Sequence, residues 1–255
     1  MLNLSQTPWI VSEPSERDKV RIFCFPYAGG GGSVFRTWKN YFEEEIGIYP
    51  VQLPGRENRI GEKPFSNMDC LVNELIDEIL RYIDRPFILF GHSLGARIAF
   101  EFSRKLRGIN ARCPECLIVA GSRAPEIPEP KPLHQLEYYD FINRLKRYSG
   151  TPKAIFENKE LMDIFIPVLR ADFKIDETWN FRHEAPFDFP IHIFGGKNDP
   201  GAHYDELFKW SRHTNKRFSI EMIEGGHFFI NEQRDELIRH IIKIVEEKRV
   251  AEIIN

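Results

Sequence analysis

Cysteine is scarce in this chain and poorly placed for chemistry. Four occur in 255 residues, at Cys24, Cys70, Cys113 and Cys116, and of these Cys113-Pro-Glu-Cys116 alone has the spacing of a ligand pair. A structural zinc site takes a second pair at a matching distance, and none follows. A dithiol redox site opens a helix, whereas this one precedes the apolar run Leu117-Ile-Val-Ala120. The expectation is four reduced thiols that pack rather than react, with no metal and no cofactor. Long apolar runs are missing too. Nothing approaches the roughly 20 residues that cross a bilayer, and the N-terminus Met1-Leu-Asn-Leu-Ser-Gln6 has no basic segment leading into an apolar one. No membrane association is expected, and the cytoplasm is the default location. There is no excess of one charge: 35 Lys and Arg stand against 38 Asp and Glu, a net charge of −3, so no global attraction to nucleic acid is expected. Internal repeats and low-complexity tracts are also lacking.

What is present is an alternation. Val20-Arg-Ile-Phe-Cys-Phe25 reads as a strand, as do residues 47–53, 86–90, 116–120, 190–195 and 217–223. Between them, Leu71, Val72, Leu75, Ile76, Ile79, Leu80 and Ile83 recur at helical spacing within residues 68–83, and residues 96–106 and 237–245 are helix-like. Strands alternating with helices predict an α/β fold, a mostly parallel sheet covered by helices on both faces, in one domain spanning 1–255. Residues 124–186 interrupt the rhythm. They open on Pro125, Pro128, Pro130 and Pro132 and continue with helix-like stretches at 138–145 and 161–169. This segment is expected to be a helical lid over the active end of the sheet, with Tyr148-Ser-Gly150 as a flexible point.

Ligands of such sheets bind beyond the carboxyl ends of the strands, and the residues with chemistry in them fall there. Gly91-His-Ser-Leu-Gly95 follows Phe87-Ile-Leu-Phe90 and precedes a helix, the pattern of a nucleophile elbow in an α/β hydrolase. A serine hydroxyl is a weak nucleophile unless a tight turn holds it clear of the backbone and beside a base. In this chain order an acid and then a histidine should follow the serine. Asp199, in Gly195-Gly-Lys-Asn-Asp-Pro200, and His227, in Glu224-Gly-Gly-His227, both directly follow strands. Asp188 and Asp205 compete with the first, and seven other histidines with the second, from less suitable positions. Two N–H donors should face the developing oxyanion. Leu94, next after the serine, supplies one, and the loop Phe25-Pro-Tyr-Ala-Gly-Gly-Gly-Gly32 should supply the other. That loop lacks the Gly-Lys-Ser/Thr ending of a phosphate-binding loop.

With these motifs in hand, the chain resembles the type II thioesterases, discrete α/β hydrolases that accompany nonribosomal peptide and polyketide synthases. Phe25-Pro-Tyr-Ala-Gly-Gly30, Gln52-Leu-Pro-Gly-Arg-Glu57, Gly91-His-Ser-Leu-Gly-Ala96, Ser149-Gly-Thr-Pro152, Pro167-Val-Leu-Arg-Ala-Asp172 and Gly225-Gly-His-Phe-Phe229 carry the resemblance in order. The family's elbow often has Met where Leu94 stands. The resemblance implies a Ser93–His227–Asp199 triad, Ala28 and Leu94 as oxyanion donors, and hydrolysis of acyl groups from the phosphopantetheine arms of carrier proteins, which clears stalled or misprimed carriers. A monomer is expected. A general carboxylesterase or an acyltransferase would use the same triad, which does not choose among them. Carrier proteins are commonly acidic, and two basic groups stand out as a docking face: Lys131, Arg144, Lys146, Arg147 and Lys153 in the lid, and Arg97, Arg104, Lys105 and Arg107 after the elbow. Arg56, Arg170 and Asp172 read equally as structural or functional and stand outside the catalytic set.

Overall fold

Five of six strands are buried along their whole length, which is why they read as largely apolar runs rather than alternating ones, whereas the last, an edge strand, is only partly buried. The six are β1 Val20–Phe25, β2 Ile46–Pro50, β3 Phe87–His92, β4 Cys116–Ala120, β5 Ile191–Gly196 and β6 Phe218–Ile223. They form one parallel sheet in the order β2-β1-β3-β4-β5-β6. The computed structural model of the chain describes residues 7–146 and 156–254, with side chains as far as 247. Arg147, Lys153, the expected flexible point at Tyr148-Ser-Gly150 and the motif Ser149-Gly-Thr-Pro152 lie outside the described residues. No described helix is long and apolar enough to cross a membrane.

The helices are α1 Met68–Ile79, α2 Leu94–Gly108, α3 Tyr138–Leu145, α4 Lys159–Thr178, α5 Tyr204–Phe208, α6 Phe229–Glu232 and α7 Arg234–Ile254. Asn67 caps α1, its side chain accepting the Cys70 N–H at 3.0 Å. The apolar stripe read over 68–83 spans two elements, because α1 tightens into a 3-10 turn at Leu80–Tyr82. α1 and α2 bury Leu75, Ile79, Ile98 and Phe102 against one face of the sheet. α7 lays Leu237, Ile238, Ile241 and Val245 on the other. Between β4 and β5, within the expected insertion, α3 and α4 share a small core of their own that includes Phe141, Leu145, Ile166 and Leu169.

Three expectations need correction. The second strand stops at Pro50, because beyond it Val51 pairs antiparallel with Ile10 of the N-terminal segment. α4 runs nine residues past the apolar stretch that announced it and passes through Pro167; its second half looks polar in sequence because of its charged residues, yet still buries Asp172 and Ile175. All four cysteines are free, and Cys24 and Cys116 are buried, but Cys70 lies exposed on the outer face of α1 and does not pack.

The crossing of β1 and α2 sets the geometry of the sheet's active end. Gly95 lies so close to β1 that a Cβ there would overlap the Phe25 carbonyl oxygen and sit 2.7 Å from that of Pro26. Backbone cannot yield as a flexible side chain does. Gly95→Ala is therefore expected to cost ~2 kcal/mol by overpacking, or roughly 4–8 °C in Tm for a chain of this size. Thermal denaturation checks this, and an unchanged Tm would mean that β1 and α2 can part without cost.

Candidate active site

The turn from β3 into α2 places Ser93 at φ 56° and ψ −120°, a conformation that a side chain adopts at a cost in backbone strain. The surroundings hold it there: the Ser93 N–H donates to the Ala120 carbonyl of the neighbouring strand at 2.8 Å, and the Ser93 carbonyl accepts from the Ala96 N–H at 3.0 Å. Leu94 is the first residue of α2, so its N–H has no partner four residues back in the helix.

β5 and β6 present the other two groups. Their following loops are stitched together by the Lys197 N–H to the Ile223 carbonyl, 2.8 Å, and the Asn198 N–H to the Gly225 carbonyl, 2.9 Å. This brings the His227 ring to Asp199, with Nδ1 2.8 Å from Oδ2, and to the serine, with Nε2 3.0 Å from Ser93 Oγ. Asp199 is 2% exposed, and its Oδ1 accepts the Gly201 N–H at 2.8 Å. The three residues read from the sequence thus meet in one hydrogen-bonded chain. The rival histidines are engaged elsewhere: His134 with Glu177, His192 with Ser219 and His213 with Glu126. Asp188 faces Asn215, and Asp205 opens α5.

His92, inside the elbow, is fully buried with its ring 5.2 Å from that of His227 and against Tyr27 and Phe229. Burial first, and then the neighbouring His227, push its pKa well below the ordinary histidine value. It packs, uncharged, beside the His227 ring.

Ser93 and His227 open into a cavity of about 100 Å³ walled by Ala28, Ser122, Phe173 and Phe228, with Arg97 and Asp176 among its polar groups. A second hollow of about 360 Å³ shares Tyr27, Ala28, Phe173 and Phe228 with the first and runs between the glycine-rich loop and α4. That loop is braced from the segment after β2. Gln52 Oε1 accepts the Gly32 N–H at 2.8 Å, and Glu57 accepts from Ser33. Arg56 forms a buried ion pair with Asp172 of α4, whose Oδ2 also accepts the Gly29 N–H at 2.7 Å. Burial pushes the Asp172 carboxyl above its ordinary value, and the Arg56 guanidinium pulls against that shift. Arg170 stays within the helical segment, donating to the His134 carbonyl at 3.0 Å and stacking on Phe141.

Three of the four members of the second basic face are drawn into ion pairs, while Lys105 remains exposed. Arg97 and Arg104 are 4% and 8% exposed. Arg97 pairs with Asp176, Arg104 with Glu101 and Glu184, and Arg107 with Glu184. These arginines fasten α2 to the end of the 124–186 segment and are spent on neighbours within the chain. Lys131 and Lys146 remain exposed.

A parallel sheet with a serine at a strained strand-to-helix turn, and an acid and a histidine after two later strands, defines an α/β hydrolase. The family model of the thioesterase domain matches residues 20–245. The chain is 42% identical over 226 residues to the gramicidin S biosynthesis protein GrsT of Aneurinibacillus migulanus, covering 88% of each chain. Among solved structures it is similar to RedJ, a thioesterase from the prodiginine biosynthetic pathway of Streptomyces coelicolor, at 34% identity and TM-score 0.84, covering 90% of this chain and 88% of that one. It is also similar to YbtT, the type II thioesterase of the yersiniabactin NRPS/PKS pathway, at 27% identity and TM-score 0.82, covering 94% and 98%. The chain belongs to the thioesterase family and is a hydrolase acting on thioesters. The resemblance to the type II enzymes read from its motifs holds.

The neutral His92 makes stability depend on pH. Unfolded, it takes up a proton near pH 6.5; folded, it does so only well below that. The unfolded chain thus binds more protons as pH falls below about 6.5, and this residue removes up to about 1.4 kcal/mol of stability per pH unit there. His92→Leu is expected to flatten the pH dependence of the unfolding free energy between about pH 5 and 6.5, measured by denaturant melts. An unchanged slope would show that His92 protonates in place.

Proposed function

We propose that Ser93, His227 and Asp199 form the catalytic triad of an editing thioesterase that releases acyl groups from the phosphopantetheine arms of carrier proteins. The observation that carries the catalytic part is the hydrogen-bonded chain from Ser93 Oγ through His227 to Asp199, at 3.0 and 2.8 Å, opening into a cavity. Ser93 attacks the thioester carbon while His227 takes its proton. Asp199 fixes the imidazole tautomer and stabilises the imidazolium. The oxyanion accepts from the N–H groups of Ala28 and Leu94. The tetrahedral intermediate collapses, the pantetheine thiolate leaves, and the proton held by His227 reaches it. Water, deprotonated by His227, then attacks the acyl-serine, and the acid departs with Ser93 restored.

The carrier as substrate is supported by the relatives, since GrsT is named for gramicidin S biosynthesis and YbtT for an NRPS/PKS pathway. The segment 124–186 acts as a lid: α4 walls both hollows beside Ser93, so a pantetheine arm has to pass along it. Exposed Lys131 and Lys146 leave that segment able to meet an acidic partner. The enzyme works as a monomer and needs no cofactor for these steps.

Ser93→Ala is expected to abolish release of the acyl group from an acyl carrier protein, followed by mass spectrometry of the carrier, while circular dichroism stays unchanged. Residual activity at the wild-type level would overturn the triad. An acetyl group on a carrier is expected to be hydrolysed with kcat/KM at least ~10-fold above that of acetyl coenzyme A, a difference of about 1.4 kcal/mol in transition-state binding. Equal values, or a preference for oxygen esters, would return the protein to the general carboxylesterases.

A further inference from the structure

The glycine-rich loop makes a tight turn at its first half. The Gly30 N–H donates to the Tyr27 carbonyl at 2.8 Å, and Gly29 stands at φ 77°, the marks of a type II turn with Ala28 and Gly29 at its centre. Such a turn converts to its type I counterpart by rotating the central peptide, here the one joining Ala28 to Gly29. The N–H of that peptide is the group held by Asp172 Oδ2. Rotation would break this bond and bring the Ala28 carbonyl oxygen round toward the same carboxyl oxygen. Ala28 also lines the cavity beside Ser93.

α4 reaches this turn twice. Leu169 packs so tightly that a Cβ on Gly29 would lie 2.6 Å from its Cδ2. Asp172, three residues on and on the same face of the helix, supplies the acceptor. A buried carboxyl is costly unless paired, and Arg56 pairs it from the body of the protein, with the two side chains 5% and 2% exposed. A plain strap between helix and body would have no need to spend its shared oxygen on a backbone N–H of the turn that carries Ala28.

We infer that Asp172, charge-balanced by Arg56, is a positioning residue that fixes the Ala28–Gly29 peptide and thereby the oxyanion-binding turn from the helix of the lid segment. This rests on the reading of Ser93 as nucleophile and Ala28 as oxyanion donor.

The test compares wild type with Asp172→Ala, Asp172→Asn, the apolar pair Arg56→Met/Asp172→Leu, and Ser93→Ala. Hydrolysis of p-nitrophenyl acetate, Tm and the affinity of butylboronic acid, which forms a tetrahedral adduct on an active serine, are measured for each. Replacing a buried ion pair by apolar side chains is commonly neutral or stabilising, so the double variant should keep its Tm. Its kcat should nonetheless fall ~10²-fold, because an untethered turn misplaces the Ala28 N–H, and a shift of about 1 Å near a reacting centre can cost that much. KM should change little, and boronate affinity should fall with kcat. Asp172→Asn retains an acceptor oxygen and should keep kcat at least ~10-fold above that of Asp172→Ala, whatever its Tm. A double variant with wild-type kcat, or Asn and Ala variants with equal kcat, overturns the inference, and the second comparison stands if the double variant fails to fold. Inert Ser93→Ala beside either result confines the failure to this inference, whereas active Ser93→Ala overturns the catalytic reading and this one together.

Discussion

The approach of α2 to β1 and β3 governs the rest of the site. The helix begins one residue after the serine and crosses the sheet at backbone contact, with room at Gly95 for a hydrogen atom and nothing larger. That closeness makes the Ser93 turn sharp and strained, and it points the start of the helix into the same space as the serine hydroxyl. Because every strand is parallel, the loops after β5 and β6 emerge on the same edge. Asp199 and His227 need no special scaffold beyond the register of the sheet and the two hydrogen bonds that join their loops.

Legibility from sequence followed the range of the interactions involved. The elbow is local: five residues, a preceding strand and a following helix are enough to recognise it. The meeting of Asp199 and His227 beside Ser93 was foreseeable because each directly follows a strand, so topology did the work that contacts would otherwise have to do. The Arg56–Asp172 pair was not readable as a brace on the turn, since its members are 116 residues apart and neither carries a local sign of its partner. The same limit explains Arg97 and Arg104. On a helix wheel they look like a solvated basic face, but their carboxyl partners Asp176 and Glu184 arrive from a distant segment and draw them inward. Periodicity misled in a milder way at the end of α4, where Asp172 is buried by pairing rather than by apolar packing.

Around the site, charge is used largely in ion pairs within the chain. The arginines of α2, the Arg56 guanidinium and the acidic residues of α4 tie the helical segment after β4 to the body around the site. Such pairs contribute little net stability once desolvation is counted, and their value is in fixing one arrangement over others. The apolar core beneath α3 and α4 is small, and Ile175 of α4 joins one of the main cores, so apolar packing and polar ties together orient this segment.

Pro167 gives the segment a mechanical asymmetry. Proline has no N–H to offer the carbonyl four residues earlier, so the ladder of α4 lacks a rung at Asp163. The half beyond it is moored at Asp172 and Asp176, while the half before it carries the exposed Leu161 and Ile164. α4 is in effect a jointed beam, held beyond the joint by buried ion pairs and before it by apolar packing of Met162 and Ile166.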